Sequence, residues 1–234
     1  MRQPAHRLAG VSVLVAVVLG VAGALCERPW PEPGSLPEFV ADHRGLIIAQ
    51  SVLFVLSAVV LLIFLTALRE VLAGSGLPAT IAFGAGLVGY GANILGQAPQ
   101  LALTALPGEA LQPQAAALLD ALGYATLTLA NAPIGLMFAA IGIAVLRTSV
   151  LPAWLGWLAV VTAAAATVLA LSVVYPRGVL DPQGWLSYTL YPASVLWLVA
   201  AGVALLRSPP HPTGDPVRNA ADTSRRRRTG PALR

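Results

Sequence analysis

Apolar residues fill six stretches of the chain, 8–25, 46–68, 78–106, 116–146, 151–175 and 185–206. A hydrocarbon core about 30 Å thick needs roughly 20 apolar residues in a helix, and each stretch comes close to or exceeds that length. Between them lie short polar connectors rich in breakers, such as "PGEALQPQ" and "PRGVLDPQG". Period-two alternation is absent, which excludes a barrel, and in lipid the backbone can then be satisfied only inside helices. The pattern predicts an all-α, polytopic transmembrane bundle of six spans over residues 1–207. The third and fourth runs exceed a simple span, and Pro99 and Pro133 predict kinks or breaks in them. Alternatively, the stretch 114–122 lies at the interface before the fourth span begins.

Composition supports the same class. The chain has 234 residues, 57% hydrophobic and 10% charged, with mean hydropathy +0.76, whereas soluble domains carry about 25% charged residues. All 14 basic residues are arginine. With the abundance of Ala, Gly, Val and Leu, that bias points to GC-rich coding and a bacterial source. With six spans, Arg2, Arg7, Arg69, Arg147, Arg207 and the tail arginines share one side, leaving Arg28, Arg44 and Arg177 on the other. The positive-inside rule then places both termini in the cytoplasm and the protein in a bacterial inner membrane. The first run, ending in "AGALC", also fits a signal peptide cut after Ala24. Its 18 uncharged residues favour a retained span.

The tail, residues 208–234, is polar, proline-bearing and aperiodic, so disorder is expected. Its Arg225, Arg226, Arg227 and Arg228 are worth about 1 kcal/mol each against anionic lipid headgroups, or serve only as a topology flank. No nucleic-acid partner is expected. Cys26 is alone, which rules out an intramolecular disulfide or a CxxC pair. His6, His43 and His211 lie far apart and outside the apolar runs. Neither a metal nor another cofactor is therefore expected.

The third run carries amides that hydrocarbon cannot satisfy. Tyr90, Asn93, Gln97, Gln100 and Thr104 recur at steps of three and four, the spacing of one helix face. The fourth run repeats the arrangement with Asp120, Tyr124, Thr128 and Asn131. The short turn makes these helices antiparallel neighbours and puts Asn93 level with Asn131. An unsatisfied amide in lipid costs several kcal/mol, so the two stripes are expected to face each other or a wet cavity. One reading is interhelical glue, at about 0.6 kcal/mol per hydrogen bond. The other is a ligand pocket lined by Tyr90, Asn93, Gln97, Gln100, Tyr124 and Asn131, joined by Gln50 and by Tyr188 or Tyr191. Asp120 is the candidate catalytic acid, since an ionisable group within a span is a functional hypothesis by default. It lies near the outer end of its helix, however, where water is within reach.

Other features read as architecture. Asp42 is expected to cap the second helix. Small-xxx-small pairs such as Ala82/Gly86, Ala85/Gly89 and Ala92/Gly96 mark close helix contacts. No phosphate loop, GxSxG elbow, HExxH or dinucleotide fingerprint occurs.

"GLMFAAIGIAVLRTSVLPAWLGWLAVVTA" (135–163) joins a small-residue-rich span, an arginine, a short loop and an "LPxWLG" start. It resembles the strongest segment of an uncharacterised bacterial multi-pass membrane family, a domain of unknown function of actinobacterial type. "ADHRGLIIAQSVLFVLSAVVLLIFLTALREVLAG" (41–74) is similar to the early part of such proteins. The resemblance covers most of the chain up to about residue 206. It implies membership and a multi-pass fold, with no established catalytic residues to carry over.

Two functions follow as expectations. The first is a structural, partner-binding or small-ligand-binding bundle without chemistry of its own. The second is a membrane-embedded enzyme acting on a lipid or isoprenoid, with Asp120 as acid. A transporter is disfavoured, because neither repeats nor paired broken helices are visible.

Overall fold

Hydrocarbon offers the backbone no partner beyond its own helix, and the apolar runs all fold accordingly. The computed structural model describes residues 2–31, 35–105, 112–173 and 185–207, with side chains for 4–31, 35–105, 112–173 and 191–207. The helices are α1 (Arg2–Cys26), α2 (Leu36–Val71), α3 (Leu77–Ala105), α4 (Pro113–Leu129), α5 (Asn131–Thr148), α6 (Ala153–Leu171) and α7 (Trp185–Arg207). No strand occurs among the described residues. Helices α1, α2, α3, the unit Pro113–Thr148 and α6 are long and apolar enough to cross a membrane. The all-helical, multi-span membrane bundle expected from the sequence is what forms. The tail at 208–234, with its four consecutive arginines, and the side chain of Tyr188 lie outside the described residues.

The helices close a ring in the order α1, α2, α3, α5, α6, α7 and back to α1, while α4 lies chiefly against α3. Arg69, Arg147 and Arg207 in the last turns of α2, α5 and α7 mark one end of the bundle, called here the arginine end. The other is the far end. Outward faces are apolar at helical spacing, as at Val52, Leu56, Val59 and Ile63 of α2. Exposed hydroxyls are satisfied within their own helix. Thr66 donates to the Leu62 carbonyl (2.9 Å) and Thr126 to that of Leu122 (2.8 Å).

Helix α2 starts ten residues ahead of its apolar run. Ser35 holds the N-cap position, Pro37 sits in the first turn where a missing N–H costs nothing, and Glu38 meets the helix dipole. Asp42 therefore lies within α2 and does not cap it, contrary to expectation. Trp30 against Phe39 (5.5 Å) and Phe39 stacked on His43 (4.5 Å) brace this extension.

The fourth run breaks where proline demands it. Pro133 has no N–H for the Leu129 carbonyl, and α4 ends at that residue. Beside the break, Asn131 Nδ2 donates to the carbonyls of Thr128 (3.1 Å) and Leu127 (3.3 Å) in the last turn of α4. Pro99, by contrast, stays inside an unbroken α3.

Glycines set the closest approaches. A Cβ on Gly142 would lie 2.9 Å from the Gly156 carbonyl oxygen, so α5 and α6 touch backbone to backbone. Gly10 and Gly202 do the same for α1 and α7, with a Cβ on Gly10 lying 3.1 Å from the Gly202 oxygen. The arginine-end half of the ring is filled by an aromatic plug. Trp197 meets Phe138 edge-on (5.2 Å) and Phe64 (6.4 Å), and its Nε1 donates to the Leu155 carbonyl (2.9 Å).

Candidate functional site

The direction of α3's polar side chains follows from the glycines beside them. A Cβ on Gly86 would run into Leu65 of α2 and lie 2.9 Å from the Met137 sulfur of α5. That side of α3 therefore looks into the ring. Asn93 and Gln100 follow Gly86 at intervals of seven residues and share its side. Gly86 is buried, whereas Asn93 and Gln100 are only half-buried. This side of α3 is thus less tightly covered toward the far end than at Gly86.

Gln97 sits one turn beyond Asn93 and is 3% exposed. Its Oε1 is buried without a hydrogen-bond partner among the described residues. Tyr90 and Thr104, seven residues to either side, are also buried. Helix α2 supplies the neighbouring polar groups. Ser51 donates to Gln100 Oε1 (3.3 Å), and Arg44 Nε donates to the Thr104 carbonyl (2.9 Å). Gln50, adjacent to Ser51, is 5% exposed and faces a shallow cleft with Cys26, Arg28 and His43.

On the neighbouring α5, Asn131 is buried, and Tyr191 of α7 is largely exposed. Partial loss of hydration at the far end of α1 raises the Glu27 carboxyl above its ordinary range. Tyr124 and Asp120 are half-buried on α4. Among the described residues, no three His, Cys, Asp or Glu side chains gather as metal ligands.

The expected pairing of the two stripes thus takes a different form. Gly89 abuts Ile134 and the Ala130 carbonyl, and Gly96 abuts Leu127, so the α3 contact with α4 and α5 is made by glycines. These contacts bracket Asn93 at the level of Ala130, within a turn of Asn131. The amides nonetheless bond elsewhere: Gln100 to α2, and Asn131 to the last turn of α4. A glycine face and an amide face lie side by side on α3, and only the first meets the neighbouring pair. The sequence pointed to Gln50 for this neighbourhood, and its neighbour Ser51 is the residue that bonds Gln100.

Comparisons with protein-family models, with curated proteins and with solved structures find no match to this chain.

Proposed function

We propose that the protein is a small-ligand-binding membrane bundle, with a polar chamber in the far-end half of the ring above the Phe64–Phe138–Trp197 plug. The observation that carries this reading is Gln97. A carboxamide oxygen buried in an apolar bundle without a partner costs about 1–3 kcal/mol. A bound group supplying an N–H or O–H donor offsets that cost. Half-buried Asn93 and Gln100 flank Gln97 on α3, and buried Asn131 lies on the adjoining α5, so a group reaching Gln97 would meet further amides.

The proposal includes the setting. The chain belongs to a bacterial inner membrane, both termini face the cytoplasm, and the chamber opens outward. The arginines at 225–228 hold the tail near anionic headgroups, and the resemblance to the uncharacterised multi-pass family is kept as part of this reading. Asp120 as an acid toward a lipid or isoprenoid is the second reading. It is favoured by the half-burial of Asp120 one turn from Tyr124.

Native mass spectrometry of protein released from its own membranes tests the first reading. A small molecule retained by the wild type and lost from Gln97→Leu supports the chamber. Equal retention by both, or none by either, rejects it. An Asp120→Asn variant that folds normally but shifts the cell's lipid profile favours the enzyme instead.

A further inference from the structure

We infer that the chamber's ligand is uncharged and hydroxyl-bearing, a polyol or sugar presented either free or as a lipid headgroup. The inference rests on the chamber reading above and adds the chemical class.

Charge is excluded by what the walls contain. Helix α2 beyond Leu46 reaches Leu68 without a charged residue, and α3 has none at all. The same holds for α5 before Arg147, for α6, and for α7 from Tyr191 to Leu206. Apart from Asp120 on α4, which packs against α3, a charged ligand at the depth of Gln97 has no opposite charge to meet, and burying an unpaired ion is prohibitive. Glu27 stands at the rim, and Arg44 directs its Nε to the Thr104 carbonyl.

The wall offers amides and hydroxyls, which donate and accept in turn. Gln97 Oε1 lacks a donor and Asn93 makes no hydrogen bond among the described residues, while Gln100 Oε1 already accepts from Ser51. A hydroxyl matches such a wall because it gives one hydrogen bond and takes two. A carbonyl-only ligand would leave the Gln97 oxygen as it is.

The test uses the full chain in phosphatidylcholine nanodiscs, with the thermal unfolding midpoint as readout. Three probes are titrated: trehalose, a monoglucosyl diacylglycerol and phosphatidic acid. One of the two neutral probes is expected to raise the midpoint saturably. Response to trehalose assigns a free polyol, and response to the glucosyl lipid assigns a headgroup. Gln97→Leu is expected to raise the half-saturating concentration about tenfold, the loss of one hydrogen bond to a buried partner. Gln97→Met, unbranched like glutamine, replaces it if leucine disturbs packing. Three results overturn the inference: no saturable shift with either neutral probe, an equal shift with phosphatidic acid, or an unchanged response in both Gln97 variants. A charged molecule that co-purifies in a Gln97-dependent way leaves the chamber standing and removes only the neutral class.

Discussion

Trp197 closes the ring, and its truncation has a calculable cost. The side chain is 0% exposed, meets Phe138 and Phe64 edge-on, and donates from α7 to the Leu155 carbonyl of α6. In a water-soluble core, Trp→Ala costs about 3–5 kcal/mol, part of which is transfer of apolar surface out of water. That part is absent here, because acyl chains solvate the indole when the helices separate. What remains is packing and one hydrogen bond. Two aromatic pairs at about 0.5–1.5 kcal/mol each and an interhelical hydrogen bond near 0.6 kcal/mol put Trp197→Ala at about 2–3 kcal/mol. Trp197→Phe keeps most of the ring contact and should cost less than half as much. Reversible unfolding in mixed micelles of increasing dodecyl sulfate fraction, followed by circular dichroism, measures both. If Trp197→Ala unfolds at the wild-type dodecyl sulfate fraction, α7 does not seal the bundle and the plug is wrong.

The glycine crossings and the helix break give sharper contrasts in the same assay. Gly142→Ala pushes a methyl to 2.9 Å from the Gly156 oxygen and should destabilise by about 1–3 kcal/mol as α5 and α6 separate. Gly91→Ala, with nothing within 4 Å, should be neutral. Equal effects at the two sites would contradict the crossing. Asn131→Leu removes the side-chain bonds to the Thr128 and Leu127 carbonyls and should cost about 1 kcal/mol on the scale of measured intramembrane hydrogen bonds. A stabilised variant would show that these bonds do not hold α4 to α5.

The helical spans were legible because hydropathy measures the one thing lipid selects for. Hydropathy marks the membrane crossing, however, and not the helix. The first turns of α2 carry Glu38, Asp42, His43 and Arg44, and the helix there continues past any apolar signal. Pro133 announced a break, and it falls at Ala130. The amide stripe on α3 was visible from its spacing. Its partner Ser51 was not, since an isolated serine in the apolar α2 run does not announce which way it faces. Gly86, Gly89 and Gly96 of the expected small-residue pairs do meet neighbouring helices, and the backbone-to-backbone approaches pair one glycine from each of two helices, Gly10 with Gly202 and Gly142 with Gly156.

The central claim is that the far-end half of the ring is wet. In a Cys26→Ser background, single cysteines at Asn93, Leu95 and Ile141 report it directly through labelling by a membrane-impermeant maleimide in nanodiscs, where both faces are accessible. Asn93 is half-buried and on the proposed chamber wall, Leu95 is 69% exposed, and Ile141 is 0% exposed beside the plug. Labelling at Asn93→Cys alone is the predicted result. An Asn93→Cys protein as unreactive as Leu95→Cys and Ile141→Cys would mean that no chamber exists.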